Sequence, residues 1–487
     1  MPQRANQSSR LAVAACLVAG FFGAVLISFG SWETRVIPSD HPLAALGQRV
    51  VASDQGQFVV NGAAFVGALL MLLAWLGLWR FRDAVSWRVL VFAWALPLVG
   101  ALPSVSFDLF NYVEQGWAVL QGHNPYVTPM GKAGGFVDFA GPWAGKTVGY
   151  PPLALMIQAG LVWLGASSPF WSLMTMKLMG VGGLALAYGA MRMSSRRIPA
   201  SHSTLMWAIF ANPAILIHVL GDGHNDALAS GLAVFGVALA GRLKGLRGLI
   251  VGALLVGLAG AVKQPVLVFL FAVAVLSVAH LTTGFWARWR RLILPGIIAG
   301  IVGLTAFLLP GWVSGWGFGW TSATGLSAYG RSTPLRYFYE LASNVSIALG
   351  GDKFRSAVPE IVPTAAMVLV ILLAVCLFLV WGPQYPVEVT IFAFGFYFLL
   401  GRTVQPWYTL WFLLALVLIR MTRWRALALV GLSTWMLGAM FARPWAPVNW
   451  YTQFTWAVVA AAVAMAIFLM LSRNGQPTTH RVAADRF

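Results

Sequence analysis

LAVAACLVAGFFGAVLISFG, residues 11–30, runs for twenty residues without a charge. At a rise of about 1.5 Å per residue, a helix of that length crosses the roughly 30 Å hydrocarbon core of a bilayer. It lacks a clear small-x-small cleavage pattern, so it reads as a retained first span and not as a secretory signal. Comparable runs begin near residues 59, 89, 169, 203, 225, 248, 265, 292, 361, 386, 407, 426 and 451. The chain of 487 residues is 59% hydrophobic and only 9% charged, with mean hydropathy +0.78. A soluble chain carries about 25% charged residues. These values specify an all-α polytopic membrane protein of about 14 transmembrane helices.

The net charge of +18 does not point to nucleic acid, because the cations are segregated. They cluster in short segments between apolar runs: Arg80, Arg82 and Arg88; Arg192, Arg196 and Arg197; Arg242, Lys244 and Arg247; Arg288, Arg290 and Arg291; Arg420, Arg423 and Arg425. One topology places all of these on the cytoplasmic side of the plasma membrane, together with both termini. The clusters are also suited to anionic lipid headgroups, so membrane lipids are expected partners. Residues 151–166 are apolar but do not fit this alternation. They read as a helix at the outer interface or a re-entrant one, with Pro151 and Pro152 at its start. Cys16 and Cys376 both fall within expected spans and provide no disulfide framework. Residues 1–487 read as one transmembrane domain. It has an outer catalytic loop with juxtamembrane helices over 106–166, a second outer loop over 311–360 and a cytoplasmic tail over 473–487.

Polar chemistry is concentrated on the other side. SFDLFNYVEQGWAVLQGHNPY (106–126) follows the third span. As a helix it places Asp108, Asn111, Tyr112 and Gln115 on one face and Phe110, Val113 and Trp117 on another. This reads as an amphipathic helix lying on the membrane, followed by a turn in which Asn124 precedes Pro125 and Tyr126. Amides bond sugar hydroxyls, aromatics stack on the ring, and a carboxylate takes the proton of an attacking hydroxyl. The competing reading makes Asp108 a helix N-cap. Glu114 lies off the polar face, where it would meet headgroups.

GDGHNDA (221–227), AVKQP (261–265), YGRSTPLRYFYE (329–340), GRTVQPWY (401–408) and FARPWAPVNWY (441–451) fall on the same side. His224, Asn225 and Asp226 suit a phosphate or an acceptor hydroxyl, or else a capped turn. Asp222, His224 and Asp226 could suggest a metal, but the motif lacks a spaced second His or a Cys pair, and no metal is assigned. Lys263, beside Gln264, lies at membrane depth, where an ammonium needs an anion or a wet cavity unless it snorkels. Arg331, Arg336 and Arg402 are further outer cations able to grip phosphate, or plain surface charges. Trp407 and Tyr408 suit a sugar face or the interfacial aromatic belt.

FDLFNYVEQG with GHNPY, the YPP element at Tyr150–Pro152, NPAILIHVLGDGHND, AVKQP and QPWY occur in this order across most of the chain. This set resembles the GT-C fold polyprenyl-phosphomannose-dependent α-1,6-mannosyltransferases of actinobacterial lipomannan and lipoarabinomannan biosynthesis. DLFNY stands where that family has a D-x-Y-S-Y-like run; Asp108 and Tyr112 match, Phe110 and Asn111 depart. The resemblance implies a GT-C-type bundle and a polyprenyl phosphate mannose donor. It also implies a lipid-linked mannan acceptor, inversion at the anomeric carbon and Asp108 as the base. No cofactor is implied. Two other readings remain open: another GT-C transferase using arabinose or a different lipid-linked sugar, and a lipid-linked sugar flippase or transporter. Transporters usually place polar groups at the midplane between internal repeats; here they gather on one rim.

Overall fold

The computed structural model describes residues 7–34, 36–132, 135–136, 143–194, 202–278, 284–322, 334–335, 337–338, 345, 354–401, 404–445 and 450–473. Among these the chain is helical throughout, with no strand. Backbone N–H and C=O groups inside a bilayer must pair within their own segment, and a helix does this. Among the described residues eight helices are long and apolar enough to cross a membrane, or nine if the bent pair His202–Phe210 and Pro213–Gly221 is one span. Five shorter apolar helices complete the set: Trp87–Val99, Pro152–Leu164, Gln264–Ser277, Pro386–Leu400 and Pro406–Leu418. Each span start expected from hydropathy falls within a described helix or, for residue 225, one residue before it. The loop expected over 311–360 begins within Phe285–Val313 and ends within Phe354–Trp381. Most of its length, like the tail beyond 473, lies outside the described residues.

Small residues bring the helices together. A Cβ on Gly231 would stand 2.2 Å from the Gly183 carbonyl oxygen, and one on Gly183 would stand 2.2 Å from that of Ala227. Gly257 and Gly303 make a similar approach, at 2.2 Å. Lipid tails offer no hydrophobic drive between helices, so close backbone packing supplies the attraction. The large aliphatics point the other way. Ile293, Leu294, Ile297 and Ile301 are exposed on one helix, Ile371 and Leu372 on another, as a lipid-facing surface requires. Trp75 and Trp207 stack at 4.6 Å in the core, and each indole N–H donates to the other's carbonyl at 2.7 Å.

The 49° bend in the split span has a local cause. Pro213 lacks a donor and ends the preceding helix. Asn212 caps the next turn by accepting from Ala214 N and Ile215 N at 3.0 and 3.4 Å. Its amide donates to the Ala208 carbonyl and to Ser433 Oγ, at 3.1 and 2.7 Å. Both halves end in π-helical turns, Met206–Phe210 and Ile217–Gly221, a geometry frequent at functional sites. The second turn carries His218 and leads into Asp222.

Charge is sorted along single helices. Asp226 opens Asp226–Leu243 and Arg242 closes it; Arg247 lies in the first turn of Gly245–Val262 and Lys263 follows its end. Eighteen residues at about 1.5 Å each hold the cationic turns roughly 27 Å from the polar rim.

Candidate active site

The Asp108–Leu120 helix is buried on both faces, with Leu109, Phe110, Asn111, Tyr112, Val113, Glu114, Gln115 and Gly116 all enclosed. This corrects the picture of an amphipathic helix lying on the membrane: Pro152–Leu164 and Pro169–Met176 pack over it. Neither does Asp108 cap the helix with its side chain; its own backbone N–H donates to Ser106 Oγ at 3.1 Å. The carboxylate is left to face inward, its Oδ2 3.6 Å from His224 Nδ1, with the side chain 16% exposed. Burial pushes its pKa up to about 7, against the pull of Lys263.

The GDGHND turn delivers the facing groups. Gly223 has φ +63°, the left-handed region, and a Cβ there would stand 2.5 Å from Leu109 Cδ1. Asp222 and His224 are thereby turned to different partners. Asp222 Oδ1 accepts from Ser104 N and Val105 N at 2.6 and 3.0 Å, pinning the segment that enters the Asp108 helix. Lys177 donates to the carbonyls of Leu98 (2.8 Å) and Ala101 in the same region, where a helix end leaves carbonyls without partners. Arg443 adds bonds to the Gly30 carbonyl (3.1 Å) and to that of Ser104. His224 stacks on Trp407 at 4.2 Å and 17°. Burial, with His218 and Lys263 nearby, holds its imidazole neutral, well below the usual range.

Asn225 and Asp226 are not side-chain caps either. Asn225 Oδ1 accepts from the Tyr112 hydroxyl at 3.1 Å. Asp226 Oδ1 accepts the Trp411 indole N–H at 2.6 Å and stands 3.4 Å from Lys263 Nζ. Lys263 does not snorkel. Its ammonium is buried between the Tyr150 and Tyr408 rings, 4.7 and 5.1 Å from their centroids. An ammonium so placed gains cation–π attraction. Gln264 donates to the Gly149 carbonyl at 3.2 Å and so positions Tyr150.

Asp108, Tyr112, His224, Asn225, Asp226, Lys263, Trp407 and Tyr408 therefore share one site. Trp407 is buried on His224, and Tyr408 stacks on Trp411 at 4.4 Å, so neither is a plain belt residue. Other expected site residues serve the frame. Asn124 Oδ1 accepts from Tyr126 N at 3.0 Å, and the Tyr126 hydroxyl donates to the Tyr150 carbonyl at 2.7 Å. Gln115 is buried, and its Oε1 has no hydrogen-bond partner. Glu114 does not meet headgroups: its two carboxylate oxygens accept from Phe136 N, each at 3.0 Å. Arg331, Arg336 and Arg402 lie outside the described residues. Sequence reasoning passed over His218, Trp411 and Arg443. The first two are embedded in apolar runs, while Arg443 stood in a polar turn already noted.

A polar cluster built from helix ends, with a carboxylate, a buried ammonium and aromatic rings, suits a multi-pass membrane transferase. The sequence model described as Alpha-(1->6)-mannopyranosyltransferase, N-terminal domain, matches residues 17–279, and the chain belongs to that family. It is a membrane-embedded enzyme of the hexosyltransferase class. Alpha-(1->6)-mannopyranosyltransferase A of Mycobacterium tuberculosis is 26% identical over 435 residues, covering 86% of this chain and 83% of the relative. A probable alpha-(1->6)-mannopyranosyltransferase of Mycolicibacterium smegmatis is 28% identical, covering 72% and 69%. Alpha-(1->6)-mannopyranosyltransferase A of Corynebacterium glutamicum is 24% identical, covering 75% and 80%. No solved structure matches the chain.

Proposed function

We propose that the enzyme transfers mannose from polyprenyl phosphate mannose to a lipid-linked mannan, forming an α-1,6 linkage with inversion, on the extracytoplasmic face of the plasma membrane. The observation that carries this reading is the unequal exposure of three clustered aspartates. Asp222 and Asp226 are fully buried and held by hydrogen-bond donors, whereas the Asp108 side chain is 16% exposed. Asp108 is thus the carboxylate an incoming hydroxyl can reach. One accessible carboxylate suits a single displacement, where a double displacement would use a second as nucleophile.

In this mechanism the acceptor's primary hydroxyl attacks the anomeric carbon and its proton passes to the Asp108 carboxylate. The bond from the anomeric carbon to the phosphate oxygen breaks, and polyprenyl phosphate leaves with the electron pair. A base of pKa about 7 is well matched to this at neutral pH. Lys263 holds the leaving phosphate. An ammonium has three N–H donors, so its approach to Asp226 leaves others for phosphate oxygens. Charge held where it develops lowers the barrier. Trp407 and Tyr408 offer ring faces to the sugar, and Tyr112, His224 and Asn225 line its path. Arg331, Arg336 and Arg402 supply further cations for the phosphate.

The test is reconstitution of the full chain in liposomes with labelled polyprenyl phosphate mannose and an α-1,6-mannooligosaccharide lipid. The expected product carries a new α-1,6 mannose, read by NMR of the anomeric proton and by linkage analysis. Transfer only from a nucleotide sugar, only from a lipid-linked arabinose, or with a β linkage would overturn the proposal.

A further inference from the structure

His218 has its Nε2 3.2 Å from the Met436 carbonyl oxygen. A carbonyl only accepts, so Nε2 carries the hydrogen and donates. In the neutral ring this leaves a lone pair on Nδ1. That lone pair faces Asp222 Oδ2, another acceptor, at 3.4 Å. Neither atom has a hydrogen-bond partner, and both side chains are fully buried. His224 joins them: one ring nitrogen of each histidine and one carboxylate oxygen of Asp222 lie within 4.8 Å of one another, and neither ring nitrogen of His224 has a hydrogen-bond partner. Three groups able to ligate a cation thus converge.

We propose that His218, Asp222 and His224 bind one divalent transition-metal cation of the zinc class. Two imidazoles and a carboxylate are a ligand set such an ion favours. The spacing fits. Ligands at about 2.1 Å from a tetrahedral ion lie roughly 3.4 Å apart, which is the separation of His218 Nδ1 and Asp222 Oδ2. The outer contacts fit too. The Met436 carbonyl fixes the His218 tautomer with Nδ1 free to ligate, and Ser104 N and Val105 N orient the carboxylate through its other oxygen. The fold supplies this set locally: the π-helical turn Ile217–Gly221 carries His218 and ends at Asp222, and Gly223, at positive φ, turns the chain so that His224 returns to them. The inference does not depend on the donor or linkage proposed above.

The test uses tag-free, full-length protein in detergent, stripped with a chelator and dialysed. Zinc is titrated against a chromophoric competitor, and cobalt is added separately as a spectroscopic probe. One zinc per chain is expected, with cobalt absorption bands of a four-coordinate nitrogen–oxygen site. Asp222→Asn and His218→Ala should each weaken zinc binding by about tenfold or more. His224→Gln is a third variant, should either of those fail to fold. The wild-type stoichiometry decides the matter without any variant. A folded wild-type chain that takes up no zinc, or takes up as much as the His218→Ala/Asp222→Asn double variant, would falsify the site. The pair would then be an imidazolium–carboxylate contact and nothing more.

Discussion

Lys263 and Asp226 form a buried ion pair between the end of one helix and the start of its neighbour, Nζ standing 3.4 Å from Oδ1. Removing one partner of such a pair leaves an uncompensated charge, at about 3–5 kcal/mol. Lys263→Ala should therefore lower the thermal midpoint and also weaken donor use. Lys263→Met combined with Asp226→Asn should recover most of the stability but not the transfer, because the phosphate still lacks its ammonium. Lys263→Arg should restore part of the donor use. An unchanged apparent donor affinity in the double variant would restrict Lys263 to a structural role.

Asp108→Asn separates chemistry from architecture. The Asp108 side chain is not the cap of its helix, since the local acceptor is Ser106 Oγ. Asparagine should fold normally and bind donor, while turnover drops by about 10²–10⁴, the usual worth of a positioned base. Single-turnover transfer measured on well-folded protein checks this. Near-normal turnover would transfer the base role to another group.

The helix bearing Asp226 is held by close packing, and this is testable away from the site. Gly231→Val places new atoms against the Gly183 backbone, 2.2 Å from the Cβ position. Overpacking of this kind costs about 1–3 kcal/mol or more. Gly296→Ala meets nothing within 4 Å and serves as the control. A thermal melt in detergent should show a clear loss for the first and none for the second. Equal midpoints would mean that the two helices are not so tightly apposed.

Glu114 ties a loop to the Asp108 helix. Its carboxylate accepts from Phe136 N, and the Phe136 ring stacks on Trp117 at 4.3 Å and 11°. Hydrogen bonds to a charged group are worth about 1.5–3 kcal/mol. Glu114→Ala should speed hydrogen exchange at the Phe136 amide by about 10- to 100-fold, and Glu114→Gln by less. Exchange that does not change would show that the Glu114 carboxylate does not hold the segment.

Sidedness can be read by labelling. In a chain with Cys16 and Cys376 replaced, an impermeant maleimide added outside should modify Lys132→Cys and spare Arg290→Cys. The reverse pattern would invert the proposed topology.

Some of this was settled by local composition. A bilayer leaves backbone groups no water to bond, so each long apolar run had to become a helix, and the positions of those helices follow from the sequence. The polar motifs could be placed by the same logic: Asp108, His224, Asp226 and Lys263 all stand where apolar runs stop. Their partners could not. Whether Asp108 caps a helix or faces a histidine depends on a residue more than a hundred positions away, and Trp411 reaches Asp226 across 185 residues. His218 looked like one polar residue in an apolar run until the Met436 carbonyl, 218 residues on, met its ring. Glu114 lies off the polar face of its helix and so read as a headgroup contact, and packing on both sides buried it. That a long apolar run forms a helix is a property of the segment and its solvent, so the sequence by itself determined it. The role of each charged side chain depends on what is brought within about 4 Å, and only the tertiary structure decided that.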